Sequence, residues 1–243
     1  MLFFKKLFSK LFGLEENLFL GLAFLLFVRR YRAPFGIFEI PLKFSKCHFY
    51  ARFLNNNYEL EERTLISRYV KPGDHVLELG GCAGIVSCLT SQTIGDGRHC
   101  VVEANPYMLP YLYKNRDQNH CHFDILGLAV SSSKTLPFYI HENMVGSSAQ
   151  RKTGRQHQIA CLTLESITQQ RGPFNTLIMD IEGGEYDFLQ ENKDTMPHFE
   201  KLVIEFHPNI LGAKTTEALY SKIDALGFEC VETIGTVSCF IKQ

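Results

Sequence analysis

The chain has 243 residues, of which 45% are apolar and 21% are charged, and its formal net charge is −1. This length and balance favour one globular α/β domain with a sizeable core and exclude a largely disordered chain. The charge gives no indication of nucleic-acid binding. The eight cysteines form no CxxC pair, which argues against a zinc ribbon or a thioredoxin-type site and favours a reducing compartment. We therefore expect a cytoplasmic protein.

Residues 1–33 differ in pattern from the rest of the chain. Residues 1–14 mix apolar and basic residues as an amphipathic helix would, and residues 18–28 are apolar throughout. As a helix, the second run is about 16 Å long, too short for the roughly 30 Å hydrocarbon core of a bilayer. Three arginines within residues 29–32 stand where the cleavage site of a signal peptide would lie.

We predict that residues 1–33 form an N-terminal arm and that the domain covers residues 34–243. Six basic and two acidic residues in the arm favour a peripheral contact with an anionic membrane surface. The alternatives are a helical arm packed on the domain or on a second copy of the chain, and a signal anchor.

After residue 33 the chain becomes a succession of strands and helices. Residues 58–70 are predicted to form an amphipathic helix with apolar residues on one side and carboxylates on the other. Strand and helix alternate from residue 75, which predicts a doubly wound, mostly parallel sheet whose last strand is antiparallel. The predicted strands are 75–80, 99–104, about 122–130, 175–181, 201–207, 229–234 and 236–242, and the helices between them are 84–92, 106–119, 185–193 and 215–227.

Residues 134–163 interrupt this alternation. Two strand-like stretches flank a segment rich in Gly and Ser, which predicts a β-hairpin insertion with a mobile tip. Ser147 and Ser148 in this tip are either ordinary loop residues or part of a lid that touches a substrate.

Polar and small residues follow five of the predicted strands. Ligands of open α/β sheets bind at the carboxyl ends of the strands, so these residues are candidates for one binding site. They are Glu78, Gly80, Gly81 and Gly84 after the first strand, Glu103 and Asn105 after the second, Gly127 and Ala129 near the third, Asp180 and Glu182 after the fourth, and Glu205 and His207 at the fifth.

The first of these loops does not have the dinucleotide fingerprint. Cys82 occupies a position where GxGxxG requires glycine, and no GK[ST] phosphate loop is present. Glu78 would repel a pyrophosphate, whereas Glu103 lies where an acidic residue accepts hydrogen bonds from a ribose. An adenosine ligand without a phosphate bridge fits this pattern, and S-adenosylmethionine is such a ligand.

The stretches KPGDHVLELGGCAGIVS, VVEANP, LGLAVSSS, MDIEGGEYDFL and VIEFHP occur in this order. Together they resemble the FkbM family of S-adenosylmethionine-dependent methyltransferases, from about residue 58 to residue 208. The resemblance implies a class I methyltransferase (Rossmann-like) sheet and O-methylation. It departs from the family at Glu78 and Cys82, where the family usually has Asp and a loop that contains Asn.

The resemblance also implies a role for each strand end. Glu78, Gly80 and Gly84 would line the methionine end of the cofactor, and Gly81 is counted among the cofactor-binding residues. Glu103 would hold the ribose hydroxyls, and Asn105 and Pro106 would lie beside the adenine. Gly127 and Ala129 would lie under the adenine ring, and Asp180 and Glu182 would face the methyl group.

The carboxylates and the histidine after the last two of these strands can take part in methyl transfer. A hydroxyl oxygen loses its proton as it attacks a methyl carbon, and a nearby base that accepts the proton raises the rate. Asp180, Glu182, Glu205 and His207 supply such groups. Helix capping and hydrogen bonding to backbone are the alternative roles of these residues, and the same cluster could hold a divalent ion, although we assign no metal ligand from the sequence.

We therefore expect an enzyme that transfers a methyl group from S-adenosylmethionine to a hydroxyl of a small molecule or a glycan. Two other functions stay open at this stage. One is a nicotinamide-dependent oxidoreductase, which the broken fingerprint disfavours. The other is a membrane-associated module that binds the cofactor without catalysis, which the acidic strand ends disfavour.

Overall fold

The computed structural model describes residues 17–42, 45–141, 146–152 and 154–243. The amphipathic helix predicted for residues 1–14 lies outside these residues. None of the helices in the described part of the chain has the length and apolar character needed to span a bilayer.

A small N-terminal unit of short elements (residues 17–42 and 45–54) precedes the main sheet. Helix α1 (Leu18–Ala23) is capped by Asn17 and continues into a π-helical turn (Phe24–Val28). Strands β1 (Arg30–Ala33) and β2 (Gly36–Glu39) form an antiparallel hairpin. A 3₁₀ turn (Cys47–Tyr50) then leads into helix α2 (Ala51–Leu54).

This unit is packed on the rest of the domain. Phe24 and Tyr31 are fully buried, and they share one apolar cluster with Tyr50 and Phe53 and with Leu112 of the main domain. The ring of Phe24 lies 5.7 Å from that of Tyr50 and 5.4 Å from that of Phe53. Residues 17–33 therefore match the alternative of an arm packed on the domain, and the boundary predicted between residues 33 and 34 falls within the β1–β2 hairpin.

The later elements alternate as the sequence predicts. They are α3 (Leu60–Tyr69), β3 (Val76–Leu79), α4 (Ile85–Ile94), β4 (His99–Val102), α5 (Leu109–Gln118), β5 (Asp124–Leu126), β6 (Ala129–Val130), β7 (Thr135–Ile140), β8 (Arg155–Leu162), α6 (Leu164–Arg171), β9 (Thr176–Met179), α7 (Glu185–Glu191), a 3₁₀ turn (Met196–His198), β10 (Lys201–Glu205), α8 (Pro208–Leu211), α9 (Ala213–Ala225), β11 (Phe228–Ile234) and β12 (Val237–Lys242).

Seven strands form the main sheet in the order β11-β12-β10-β9-β3-β4-β5. Strands β10, β9, β3, β4 and β5 are parallel, whereas β12 is antiparallel to both of its neighbours. The prediction of a doubly wound, mostly parallel sheet with an antiparallel last strand is confirmed. Alternate residues of the central strands enter different apolar clusters, for example Leu77 and Val76 of β3, because successive side chains of a strand point to opposite faces.

The predicted insertion is a second, three-stranded sheet. Strands β7 and β8 pair antiparallel, which confirms the hairpin, and β6 pairs parallel with β8. The prediction of one strand near residues 122–130 is wrong, because this segment forms two strands. Strand β5 belongs to the main sheet, whereas β6 pairs with the insertion.

Helix α3 also departs from the prediction. Glu62 and Arg63 are buried rather than solvated. Helix α3 packs on β10, β11 and β12, while Arg63 donates hydrogen bonds to the Tyr31 hydroxyl and to the backbone carbonyl of Asn56. The N-terminal unit therefore covers part of the helix face that the sequence pattern assigns to solvent.

Candidate active site

One row of residues crosses the carboxyl edge of the parallel strands. Leu79 of β3 is in register with Val102 of β4 and with Met179 of β9, and Met179 is in register with Ile204 of β10. The residues that follow these positions, Gly80, Glu103, Asp180 and Glu205, therefore lie side by side. The sequence predicts each of them as a site residue, and the sheet brings them together.

The backbone of Gly80 lies close to the backbone of Asp180. A side chain at this position would meet the backbone oxygen of Asp180 at 1.8 Å, and the φ angle of +96° is one that L side chains rarely adopt. Glycine is thus required where the first loop passes the end of β9.

The other predicted glycines have a packing role. A Cβ atom added at Gly81 would meet Val101, one at Gly84 would meet Leu112, and one at Gly127 would meet Leu109, all at 2.3–2.7 Å. These three glycines allow the loops to pack closely on β4 and α5, and they do not line the cavity described below.

Glu78 does not line the cavity described below, and its place at the methionine end of the cofactor stays a prediction. Its side chain is buried, accepts a hydrogen bond from the Ser87 hydroxyl, and lies 3.0 Å from Nε2 of His99. The alternation of β3 explains this position, because Glu78 shares the face of Val76, which is covered by helices.

Glu103 is held in place by the backbone of the two loops beside it. Its carboxylate oxygens accept hydrogen bonds from the N–H groups of Cys82 and Asn105, both at 2.6 Å. Burial raises the pKa of Glu103 to about 7, although these two hydrogen bonds act to lower it. Its protonation therefore changes in the physiological range.

A cavity of about 330 Å³ opens at this edge of the sheet. Of the predicted site residues, Gly80, Glu103, Asn105, Ala129, Asp180 and Glu182 line it. Its apolar wall includes Leu79, Val102, Met108, Leu128, Val130, Leu136 and Phe138. The described lining residues also include six carboxylates and no Lys, Arg or His; the carboxylates are Glu59, Glu103, Asp180, Glu182, Asp187 and Glu191. The cavity therefore suits a ligand that is partly apolar and carries positive charge.

Residues 146–151 of the insertion lie at this cavity. The hydroxyl of Ser147, which lines the cavity, accepts a hydrogen bond of 3.2 Å from the Asn105 side chain. The buried Ser148 donates one of 2.6 Å to the backbone carbonyl of Glu182. Arg151 lies 3.8 Å from the Glu182 carboxylate. The insertion is thus tied to the ends of β4 and β9, on either side of the cavity.

His207 lies within a group of carboxylates behind Asp180. Its Nδ1 atom is 2.8 Å from Glu185, while Nε2 is 3.5 Å from Asp180 and 3.6 Å from Glu182. Burial alone would lower the pKa of His207, but the hydrogen bond to Glu185 and the nearby carboxylate charges raise it to about 9. Glu205 lies beside this group and accepts a hydrogen bond from Thr236.

The carboxylates in this group are correspondingly perturbed. Burial, followed by the charge of Glu205, raises the pKa of Asp180 well above its usual range, and burial also raises the pKa of Glu182. The structure therefore gathers all four predicted catalytic residues, of which Asp180 and Glu182 face the cavity and Glu205 and His207 do not line it.

Two residues of this site are missing from the sequence prediction. Glu185 is fully buried and binds both His207 and the backbone N–H of Gly183. Its position within the DIEGGE stretch was the available signal. Glu59 belongs to the carboxylate side of the helix predicted for residues 58–70, but it precedes helix α3 in a left-handed conformation and lines the cavity.

The sequence of residues 78–230 matches a family described as the methyltransferase FkbM domain. The chain belongs to this family. It is thus an S-adenosylmethionine-dependent methyltransferase by family. No curated protein matches the sequence.

The similar solved structures include a fibrillarin and two methyltransferases, each less than 15% identical to this chain. Fibrillarin from Aeropyrum pernix, in complex with S-adenosyl-L-methionine, is 14% identical, with a TM-score of 0.47 over 75% of this chain and 73% of that one. Precorrin-6y C5,15-methyltransferase from Geobacter metallireducens is 12% identical, with a TM-score of 0.48 over 76% and 87%. A methyltransferase from Pyrococcus furiosus is 13% identical, with a TM-score of 0.45 over 91% and 92%.

Proposed function

We propose that this FkbM-family domain binds S-adenosyl-L-methionine in the cavity and transfers its methyl group to a hydroxyl of a small molecule or a glycan. The observation that carries the proposal is the row of Gly80, Glu103 and Asp180 along one wall of the cavity. Gly80 lets a ligand approach the backbone after β3. Glu103 after β4 supplies a carboxylate for the ribose hydroxyls, and Asp180 after β9 supplies a second carboxylate.

The cavity has complementary regions for the cofactor. Glu103 is the ribose acceptor, since its carboxylate is oriented by two backbone N–H groups and still has lone pairs for hydroxyl donors. Leu128, Ala129 and Phe138 supply apolar surface for the adenine. The carboxylates of the wall favour the positively charged sulfonium and ammonium groups.

Asp180 and Glu182 are the candidate bases, because both lie at the end of β9 and face the cavity. In a direct displacement the acceptor oxygen forms a bond to the methyl carbon as the carbon–sulfur bond breaks, and the hydroxyl proton passes to one of these carboxylates. The enclosing insertion holds the two reactants together, and this orientation lowers the barrier further. An anionic acceptor is disfavoured by the same carboxylates.

Cofactor binding is expected to depend on the ionisation of Glu103. Above pH 7 this group is a carboxylate that accepts ribose hydrogen bonds, and below pH 7 it holds a proton, so the affinity for S-adenosylmethionine should fall by up to about tenfold per pH unit below pH 7. The Glu103→Gln substitution should weaken binding about 10- to 100-fold at pH 8 and remove the pH dependence. Isothermal titration calorimetry between pH 5.5 and 8.5 measures both effects.

S-adenosylhomocysteine and NADH serve as comparison ligands in the same titrations. The first should bind with the same dependence on Glu103, whereas tight binding of NADH alone would favour an oxidoreductase. If the affinity for S-adenosylmethionine changes neither with pH nor with the Glu103→Gln substitution, the assignment of Glu103 as the ribose acceptor is wrong.

We also propose that the N-terminal unit contacts an anionic membrane surface. Six apolar residues of α1 and the π-helical turn are exposed, and Phe19 and Phe27 are 79% and 83% exposed. Arg29, Arg30 and Arg32 next to them are exposed as well. An apolar patch with adjacent cations is typical of a helix that lies in the lipid interface.

Replacement of Phe19 and Phe27 together by Asn is expected to weaken binding to phosphatidylserine vesicles at least tenfold, since each buried Phe contributes about 1.5–3 kcal/mol. Vesicle co-sedimentation measures this. Val231→Asn, an exposed apolar position on β11, is the matched control. Removal of residues 1–32 is a poorer test, because it also removes Phe24 and Tyr31 from the core. Equal sedimentation of all variants, or dimer formation without vesicle binding, would count against a lipid contact.

A further inference from the structure

We propose that Asp180, Glu205 and His207 bind a divalent cation such as Mn²⁺ at the edge of the cavity. One donor atom from each of these residues lies within 4.8 Å of the others. Two carboxylate oxygens and one imidazole nitrogen form a donor set that suits divalent first-row ions. The ion site itself stands on these residues, whereas its part in methyl transfer rests on the proposed function.

The orientation of His207 is the one that a metal ligand requires. A histidine that binds a metal commonly donates its other ring N–H to a carboxylate, which fixes the tautomer and directs the free nitrogen to the ion. The Nδ1 atom of His207 is 2.8 Å from the fully buried Glu185. Its Nε2 atom is directed at the carboxylates of Asp180 and Glu182.

The carboxylate of Asp180 forms an ion pair with His207 when the imidazole is protonated, but it accepts no hydrogen bond at Oδ1. Its Oδ1 atom is buried without a hydrogen-bond partner, at 3.5 Å from Nε2 of His207. A buried carboxylate oxygen without a hydrogen bond is costly. A cation among the three side chains would satisfy this oxygen and offset the repulsion between the carboxylates of Asp180 and Glu205.

The position of the cluster beside the cavity gives the bound ion a chemical role. Asp180 belongs both to the cluster and to the cavity wall, so an ion bound to it lies one metal–ligand bond from that wall. A divalent ion with an open coordination position can bind a hydroxyl oxygen and lower the pKa of that hydroxyl. The three protein ligands leave such positions on an ion that prefers six.

The test is a titration of the full chain with Mn²⁺. Electron paramagnetic resonance measures the concentration of free Mn²⁺, which falls as the ion binds. We expect one Mn²⁺ per chain. Glu205→Gln and His207→Asn should each weaken binding at least tenfold, and Glu185→Gln should weaken it about 10- to 100-fold through the orientation of His207. Glu217→Gln, an exposed carboxylate of α9, is the matched control and should leave Mn²⁺ binding unchanged.

A second measurement does not depend on the folding of the variants. The unaltered protein with bound Mn²⁺ should show a hyperfine coupling to a histidine nitrogen, and the coupling should change when histidine is labelled with ¹⁵N. Absence of bound Mn²⁺ at 1 mM, equal affinity in all variants, or a bound ion without nitrogen coupling would each overturn the site, and the group would then be an ion-pair network that shares protons.

Binding of S-adenosylmethionine in the presence of a chelator separates this inference from the proposed function. A chain that binds the cofactor but not Mn²⁺ overturns the ion site alone. A chain that binds Mn²⁺ with the expected variant pattern but not the cofactor supports the ion site and overturns the proposed function.

Discussion

Replacement of Asp180 by Asn is expected to lower the rate of methyl transfer by about 10²- to 10⁴-fold, the contribution typical of a positioned general base. Asn has nearly the same shape but cannot accept the proton of the acceptor hydroxyl. Asp180 follows Met179 at the end of β9 and faces the cavity, so the substitution acts where the methyl group is expected to lie. The same direction is expected for Glu182→Gln, with a smaller effect, because Glu182 also pairs with Arg151.

The measurement is transfer of a labelled methyl group to hydroxylated acceptors, namely oligosaccharides and small alcohols and phenols, with the unaltered protein used to select the acceptor. Affinity for S-adenosylmethionine, measured in parallel, should change far less than the rate. Glu217→Gln on α9 controls for the loss of an exposed carboxylate. Full turnover by both site variants with normal cofactor binding would remove the catalytic role of these two residues.

The Phe24→Ala substitution is expected to lower the free energy of unfolding by about 3–5 kcal/mol, the usual cost of a large apolar side chain removed from a core. Phe24 is fully buried and stacks on the ring of Tyr50. It joins the π-helical turn to the cluster that also contains Leu112 of α5. This loss of stability is expected if the N-terminal unit unfolds together with the rest of the domain.

Phe27 provides the matched control for this prediction. It is three residues further along the same segment, but it is 83% exposed, so Phe27→Ala should change the free energy of unfolding by no more than about 0.5 kcal/mol. Urea denaturation followed by circular dichroism measures both variants. Equal stability of the two would mean that residues 17–33 unfold independently of the domain.

The sequence determined most of the sheet and the place of the site. Strand and helix differ in period, and parallel strands share one carboxyl edge, so the pattern alone predicts that Gly80, Glu103 and Asp180 lie near one another. The short connection between β11 and β12 likewise predicts an antiparallel end to the sheet. These features depend on local periodicity and on chain connectivity, which a sequence displays directly.

Side-chain orientation within the site was decided by the tertiary structure. Central parallel strands are buried on both faces, so the pattern of β3 does not reveal that Glu78 points to Ser87 and His99, away from the cavity. Nor does it reveal the contact of Glu185 with His207, because a carboxylate at the start of a helix is usually solvated or a cap.

The position of the N-terminal unit depended on contacts between residues far apart in sequence. Its apolar and basic residues have the same pattern whether they meet a membrane or a protein core, and the pattern alone favoured the membrane. Burial of Phe24 and Tyr31 against Tyr50 and Phe53, with Phe19 and Phe27 left exposed, divides that segment into a core side and an outer side. Only the packing of the folded chain makes this division, because it depends on which distant side chains cover each face.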